Sequence, residues 1–316
     1  MVVSCWHSHS DRIHVNINKA LKKQVSTHDL YSQASVITLH YPGLTTIGQD
    51  SRTVLDIAHD RFFILDKGKN EILVFDGEGA FLTSITSTEV IIDFSVYKND
   101  ILDVLTSMAI TEYSTRDCSL LKTYPINDNN VILTSVAKVD DDTIGMTGFL
   151  NGRAFDCGYV IGKIGFYTVI NDFFSAAEYQ NCRFFHSNDS TFNFCSRSGE
   201  IEFYRGDDFV FPWYDWDFGK LSPCFTNVQK TTDRIYLAFQ LDGDDYTLVY
   251  NLNDGKYQVV MQTIEGVSFP LGVFFDGCNY YCTLSSRLLE FLPSDYLDDN
   301  KVISTGDNPV LIRYSL

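Results

Sequence analysis

The sequence predicts an all-β fold, and three observations lead to this prediction. Short apolar runs with a two-residue period recur along the chain, each bounded by Asp, Asn, Gly or Ser. Aromatic residues, which favour strands, make up 14% of the 316 residues, with 24 Phe and 18 Tyr. Helical periodicity is confined to two short segments, 16–24 and 287–298. We therefore expect strands over most of the rest of the chain.

The strands repeat as a unit. A polar turn residue followed by a strong apolar strand occurs six times, at Asp60, Asp100, Asp142, Asp189, Asp233 and Asn279. The steps between these turn residues are 40, 42, 47, 44 and 46 residues. A unit of ~40–50 residues with four short strands is typical of one blade of a β-propeller. The sequence thus predicts a single six-bladed β-propeller of four-stranded antiparallel blades.

Two units show their four strands plainly. In the first, strands are predicted at 53–58, 61–65, 71–75 and 80–85, and in the second at 91–97, 100–105, 109–113 and 120–126. Alternation along the inner strands turns Phe94 and Val96 toward a neighbouring blade, so both are predicted to be core residues. The turn Asp-Gly-Glu-Gly at 76–79 is expected to supply the positive φ that a tight hairpin needs.

The last unit lacks a fourth strand. Its inner strand is predicted near 271–275, with Val273 and Phe275 in the core, its second strand at 280–284 and its third at 309–314. An additional strand at 35–41 precedes the first unit and would complete the sixth blade, which would cover a sheet edge. The propeller is therefore expected over residues 35–316, after a tether and lead-in at 1–34. Residues 285–308 become an insertion that is partly helical.

The charge of the chain restricts its partners. Lys and Arg number 24 against 41 Asp and Glu, a formal charge of −17. A field of this sign repels phosphate backbones, so nucleic acid is not an expected partner. Acidic clusters at predicted turns make Asp140, Asp242 and Asp244 candidates for ligand binding. The alternatives are ordinary turn chemistry and a loop-bound cation, but no EF-hand spacing is present and no metal site is predicted.

The densest aromatic group is Trp213, Tyr214 and Trp216. Sugar rings stack on such side chains, so these residues are candidates for a glycan platform. Packing between blades is the alternative interpretation of the same residues.

Motifs of enzymes and cofactor sites do not occur in the sequence. It contains no Gly-x-Ser-x-Gly, P-loop, HExxH or GxGxxG pattern, and the eight Cys and seven His show no zinc-ligand spacing. We therefore predict no catalytic residue and no cofactor. The enzymatic alternative is a lyase or glycosidase that uses two carboxylates at the propeller channel.

The N-terminus suggests a lipid anchor. Val2-Val3-Ser4-Cys5 fits the end of a bacterial lipoprotein signal, in which small and aliphatic residues precede a cysteine that becomes lipid-modified. This interpretation places lipid on Cys5 and makes the polar residues 6–12 a flexible tether. The alternative is an ordinary cytosolic N-terminus. No apolar run approaches the ~20 residues that span a bilayer, so contact with a membrane is expected only through the anchor.

The sequence resembles the six-bladed β-propeller lipoproteins that are widespread in Bacteroidetes, described as TolB-like or NHL-like propellers. The matching segments run over most of the chain: Ile13-His14-Val15-Asn16-Ile17, Ser35–Leu39 with Ile47-Gly48, Arg61–Asp66, Ile72–Asp76, Asp93-Phe94-Ser95-Val96, Tyr214–Lys220 and Asp307–Tyr314. A Gly-Pro-Gly-Glu-like loop of that family is absent at 84–89. The resemblance implies a lipoprotein of the cell envelope, with no established activity and no catalytic residues.

The expected function is therefore non-enzymatic binding or scaffolding in the bacterial envelope. Inter-strand loops at one end of the channel would recognise an envelope protein or a glycan, because such loops vary without disturbing the strands. Acidic loops would favour a cationic protein patch, a metal ion or a neutral glycan over a polyanion.

Overall fold

The fold is an all-β propeller, as the sequence predicts. The computed structural model describes residues 13–23, 33–42, 47, 52–56, 59–98, 100–126, 131–138, 141, 143–150, 153–160, 167–169, 183–187, 190–195, 200–205, 208–209, 214–217, 224–230, 233–242, 244–264, 267–269, 274–275, 279–284 and 308–315. The strands within these residues form six antiparallel sheets of four or five strands and one parallel pair. Each of the six sheets is a blade.

Three elements precede the first blade: strand β1 (Ile13–Asn16), helix α1 (Ile17–Leu21) and strand β2 (Gln33–Thr38). Blade 1 follows with β3 (Arg52–Asp56), β4 (Arg61–Asp66), β5 (Glu71–Asp76) and β6 (Phe81–Thr86). Blade 2 comprises β7 (Ile91–Tyr97), β8 (Ile101–Thr106), β9 (Ala109–Ser114) and β10 (Leu120–Pro125). All eight strands lie where the sequence predicts them, within two residues at each end.

Blades 3 and 4 repeat the four-stranded meander. Blade 3 comprises β11 (Val131–Lys138), β12 (Thr143–Leu150), β13 (Arg153–Val160) and β14 (Tyr167–Val169). Blade 4 comprises β15 (Arg183–Ser187), β16 (Ser190–Cys195), β17 (Glu200–Arg205) and β18 (Asp208–Phe209). The first strand of each blade is the inner one: β7 contacts β11, β11 contacts β15, and β15 contacts β20 (Cys224–Lys230) of the next blade.

Blade 5 departs from the prediction of four strands. After β19 (Tyr214–Asp217), it contains β20, β21 (Arg234–Leu241), β22 (Asp244–Asn251), β23 (Tyr257–Ile264) and a fifth strand, β24 (Val267–Phe269). The short connection after β23 lets the chain turn back and pair once more, with Ile264 opposite Val267. This extra edge strand was not apparent from the apolar pattern.

Blade 6 closes the ring with the N-terminal strand. Its order is β25 (Phe274–Phe275), β26 (Asn279–Leu284), β27 (Val310–Ser315) and then β2 as the outer strand. Val36 pairs with Ile312, and the Arg313 Nε donates to Ser35 Oγ at 3.2 Å. The predicted closure is therefore confirmed. The proposed insertion at 285–308 lies outside the described residues except for Asn308, whose Oδ1 accepts from the Ile47 N–H.

The core lies between blades. Phe94 and Val96 of β7 are buried at 0% and 6% exposure and pack in one cluster with Phe63, Leu65 and Val74 of blade 1. Their predicted core positions are thus confirmed. A second cluster joins blade 6 to blade 1 and contains Ile37, Leu39, Phe62, Leu73, Tyr281 and Leu311. Val273 and the side chain of Phe275 lie outside the described part of the chain.

The N-terminal segment packs on blade 5. β1 pairs in parallel with β19, and the side chains of Val15, Ile17 and Ala20 join the core cluster of β21, β22 and β23. Asn16 caps helix α1, since its side chain accepts from the Lys19 N–H at 2.8 Å. The helix predicted at 16–24 is present at Ile17–Leu21. The domain boundary at residue 35 stays a prediction, although part of the lead-in is packed against the propeller.

One glycine is required where the closing strand meets blade 1. Gly79 has φ +86, and a Cβ there would lie 2.2 Å from the Thr38 carbonyl oxygen. The prediction of positive φ in the 76–79 turn holds at Gly79 but not at Gly77. Gly77 is needed for space instead, because a Cβ there would meet the Asp60 carboxylate at 2.1 Å.

Candidate functional site

The propeller has two chemically different ends. Each blade is an antiparallel meander entered at its inner strand, so the first-to-second and third-to-fourth connections lie at one end, here called the A end. The second-to-third connections and the links between blades lie at the opposite B end. Side-chain contacts agree with this assignment: His59 contacts Asp100 across two A-end turns, and Asn70 bonds to the link before blade 2 at the B end.

Exposed carboxylates occupy the A end of the first three blades. Asp60 is exposed and adopts φ +49 in the turn between β3 and β4. Asp100 lies in the next turn, with 70% of its side chain exposed, and His59 Nε2 is 3.6 Å from its Oδ1. The repeated Asp of the sequence thus places a negative charge at the same end of successive blades.

The third of these carboxylates, Asp141, is held by blade 2. Its Oδ1 accepts from the Lys98 ammonium at 3.1 Å and from the Tyr97 hydroxyl at 3.2 Å. The hydrogen bond from Lys98, together with its charge, holds the pKa of Asp141 below its ordinary value. The side chain nevertheless remains 78% exposed. The A end of these blades therefore presents exposed carboxylates to solvent, and two hydrogen bonds hold that of Asp141 in place.

At the B end, the Asn70 side chain binds the backbone of the link between blades 1 and 2. Asn70 donates to the backbone oxygens of Ser87 and Glu89 at 3.1 and 2.9 Å, and its Oδ1 accepts from the Ile91 N–H. These bonds fix the link between blades 1 and 2. Asp242 lies at the B end as well, in the β21–β22 hairpin, with φ +55 as expected of the first residue of an Asp-Gly turn.

The predicted ligand residues that the structure describes lie on different elements. Asp141, next to Asp140, is at the A end, whereas Asp242 and Asp244 are at the B end. Asp140 and Trp213 lie outside the described residues. The backbones of Tyr214 and Trp216 pair with Ile13 and Val15, so these residues follow blade 4 as a partner of the N-terminal strand. Their roles in ligand binding stay predictions.

A buried charged cluster lies between blades 2 and 3. Lys138 of β11 binds Glu112 Oε1 of β9 at 2.5 Å, with only 4% and 8% of the two side chains exposed. The Tyr124 hydroxyl donates to the same oxygen at 3.3 Å. Burial, followed by the charge of Glu112, raises the pKa of Tyr124 to about 12. For Lys138, burial disfavours the ammonium, but the bond to Glu112 and the charge of Asp103 outweigh it and raise the pKa.

Asp103 is the anomalous member of this cluster. It pairs across the sheet with Ser95 on one side and Glu112 on the other, so the three side chains share a face. Both carboxylate oxygens of Asp103 and the Ser95 hydroxyl lack hydrogen-bond partners among the described residues. Burial raises the pKa of Asp103 to about 7, although the nearby Lys138 charge opposes the shift. The carboxyl is therefore substantially protonated at neutral pH.

The cluster joins blades and does not form an open cleft. Asp103 and Glu112 are both buried, so a polymeric substrate does not reach the pair. Nearby, Asp93 Oδ2 accepts from the Val136 N–H at 3.1 Å, a second buried link from blade 2 to the inner strand of blade 3. Sequence reasoning missed these residues. The sequence feature that could have indicated the cluster is Asp103, an acidic residue at the centre of the otherwise apolar residues 101–105 of strand β8.

The described part of the chain has neither a helix that could span a membrane nor a cluster of metal-binding side chains. Its one helix, α1, has five residues and is far too short to cross a bilayer. No group of three or more His, Cys, Asp or Glu within the described ranges is arranged to hold a metal ion. Cys5 and residues 6–12 lie outside these ranges.

Comparison with solved structures supports the propeller class. The chain is similar to a Bacteroides fragilis protein predicted to be exported, with a TM-score of 0.66, 13% identity and coverage of 92% of this chain and 97% of that one. It is also similar to the calcium-binding protein regucalcin from Agrobacterium tumefaciens, with a TM-score of 0.54, 10% identity and coverage of 90% and 93%. A third similar structure is the Pan2 WD40 domain of Neurospora crassa, with a TM-score of 0.52, 11% identity and coverage of 89% of this chain and 95% of that one.

These likenesses establish the fold and nothing more specific. No protein-family model matches the sequence. No curated protein matches it either. The resemblance to Bacteroidetes lipoproteins therefore stays a prediction.

Proposed function

We propose that this chain is a non-enzymatic, six-bladed binding propeller of the bacterial cell envelope, and that its A end recognises a basic surface of an envelope protein. The exposed carboxylates of Asp60, Asp100 and Asp141 carry the proposal. They occupy equivalent turns of three successive blades, and the contact with Lys98 at 3.1 Å orients the third of them, Asp141. With a net charge of −17, the chain attracts cationic partners and repels polyanions.

Placement in the envelope rests on two supports. The solved structure with a TM-score of 0.66 belongs to a protein predicted to be exported. The sequence Val2-Val3-Ser4-Cys5 adds a lipid-attachment signal. Expression from the natural start with a labelled fatty acid should label the protein, and Cys5→Ala should abolish the labelling. Retained label in that variant would contradict anchoring through Cys5.

The enzymatic alternative requires two carboxyl groups ~5–10 Å apart in an accessible cleft. Asp103 and Glu112 are adjacent but buried, so they do not meet this requirement. A lyase or glycosidase would therefore have to use other residues. Turnover of a polysaccharide by the purified protein would support the alternative and contradict the binding proposal.

Two matched variants locate the binding end. Asp100→Asn with Asp141→Asn removes two negative charges from the A end, and Asp242→Asn with Asp244→Asn removes two from the B end. We expect the first variant to lose capture of basic proteins from envelope extract and the second to retain it. Equal loss in both would point to net charge alone, and tight binding of an anionic polysaccharide would contradict the electrostatic argument.

A further inference from the structure

The inner strands of three blades share a β-bulge near their beginning. The pairing register shifts between Ile91 and Asp93 in β7, between Leu133 and Ser135 in β11, and between Phe225 and Asn227 in β20. Aligning β7 and β11 on this bulge makes Val90 and Ile132 equivalent positions in neighbouring blades. Bulges at the rims of barrel-like folds re-aim side chains, so this position has a defined orientation.

Both equivalent positions hold exposed apolar side chains. Val90 is 65% exposed and Ile132 62%. Because each lies where an inner strand begins, both are at the B end, beside the mouth of the channel. Exposure of a large apolar side chain at the same position of two consecutive blades is not explained by packing, since both neighbouring blades bury their cores elsewhere.

Met108 is a third exposed apolar side chain at this end. It is 56% exposed and lies in the turn between β8 and β9 of blade 2, also at the B end. The hydroxyl of the preceding residue, Ser107, donates to Glu89 Oε2 at 3.3 Å, and Glu89 directly precedes Val90. The Met108 carbonyl accepts from the Ile126 N–H at 2.8 Å, where the chain leaves blade 2 for blade 3. Val90, Met108 and Ile132 are thus three exposed apolar side chains at the B end of two neighbouring blades, here called the apolar rim.

The other exposed large apolar side chains of the described residues have a different setting. Leu82, Leu120 and Leu121 lie on the outermost strands of blades 1 and 2. The strand β10 carries a bulge, a lysine and a proline, features that protect a sheet edge from pairing. Exposed apolar patches surrounded by polar residues mark interaction sites.

We propose that the apolar rim binds a segment of a partner protein that combines apolar side chains with lysine or arginine. Charge selects this occupant. Glu89 is exposed beside the rim and can pair with a cationic side chain, and the net charge of −17 disfavours a second copy of the same chain. Since the rim is at the B end, this site goes beyond the proposed function at the A end, and the propeller would connect two partners.

A library of random dodecapeptides displayed on phage provides the probe. Selection uses the wild-type chain, with counter-selection on a rim variant that combines Val90→Thr, Met108→Gln and Ile132→Thr. The control variant combines Leu82→Gln, Leu120→Gln and Leu121→Gln, which removes as many exposed apolar side chains from the outer strands. All six positions are exposed, and thermal melting of each variant verifies that it is folded.

We expect the selected peptides to be rich in apolar and basic residues. Their affinity should fall by about tenfold or more in the rim variant and change by less than about twofold in the control. No enrichment on wild type over the rim variant, or enrichment of acidic peptides, would overturn the proposal. Self-association of the wild type that disappears in the rim variant would also overturn it, because the occupant would then be a second copy.

Methionine methyl spectra place the bound peptide. The chain has four methionines, so labelling their methyl groups with ¹³C gives few signals, and Met108→Leu assigns the relevant one. Binding of a selected peptide should shift the Met108 signal and leave that of Met261, on β23 of blade 5, in place. An unshifted Met108 signal at saturation would refute the site. Loss of A-end binding in Asp100→Asn with Asp141→Asn leaves this test unaffected.

Discussion

Replacing Asp103 by Asn tests the protonation of the buried cluster. The side chain is 0% exposed, both oxygens lack hydrogen-bond partners among the described residues, and burial raises its pKa to about 7 from 3.8. Between these two values the unfolded chain has lost the proton while the folded chain still holds it. The stabilising contribution of protonated Asp103 is therefore complete below pH 4 and is lost as the pH rises toward 7.

The size of the effect follows from the shift. A change of about 3 pKa units at roughly 1.4 kcal/mol per unit corresponds to about 4 kcal/mol in total, of which about 3 kcal/mol falls between pH 5 and pH 8. Asn is neutral throughout and lacks this pH dependence. We therefore expect the free energy of unfolding of wild type to fall by about 3 kcal/mol relative to Asp103→Asn across that interval.

Urea unfolding of both proteins at pH 5, 6, 7 and 8 measures the difference. Asp117→Asn is the control: hydrogen bonds from Ser119 lower the pKa of this exposed carboxyl to about 2, so it is ionised throughout and should follow the wild-type slope. If the curves of wild type and Asp103→Asn run parallel, the carboxyl of Asp103 does not titrate between pH 5 and 8 and the reasoning fails.

Three further changes test the packing. Lys138→Met leaves Glu112 buried without its cation and should cost about 3–5 kcal/mol in urea unfolding, whereas adding Glu112→Leu should restore most of it; a double variant as unstable as the single would contradict this. Gly79→Ala combines a left-handed φ, which costs roughly 1–3 kcal/mol, with a clash at 2.2 Å. Gly255→Ala is the control, because Gly255 also has a positive φ but an added Cβ there would lie 3.5 Å from its nearest neighbour, so it should cost less. Equal losses of stability in the two variants would show that the clash at Gly79 is relieved. Phe94→Ala should cost about 3–5 kcal/mol because the ring is fully buried, and a melting change of only a degree or two would refute its placement.

The blade repeat was predictable because each blade uses the same local rules. A polar turn residue, a two-residue apolar period and a fixed unit length identify strands β3 to β10 almost to the residue. The closure by β2 was predictable as well, since the last unit lacked a partner for its third strand. The pairing of β1 with β19 was not, because four residues on each side form a parallel contact across some 200 positions of sequence.

The candidate sites were less accessible to sequence reasoning. Acidic turns stand out in the sequence, but assigning Asp141 and Asp242 to opposite ends requires the order of strands within each blade. The apolar rim depends on bulges that appear only as a register shift between strands. Glu112 and Lys138 belong to different blades, and nothing in the sequence of either strand indicates that the two side chains pair.

Adjacent blade interfaces in this propeller have different chemistry, although their strands are equivalent. Blades 1 and 2 meet through an apolar cluster around Phe63 and Phe94, whose burial does not depend on pH. Blades 2 and 3 also share an apolar cluster, which contains Leu105 and Val136, but Asp103, Glu112 and Lys138 add a contribution that depends on which groups are charged. Ionisation of Asp103 is therefore expected to reduce the stability contributed by the second interface and to leave the first unchanged, which the urea unfolding series at pH 5 to 8 measures.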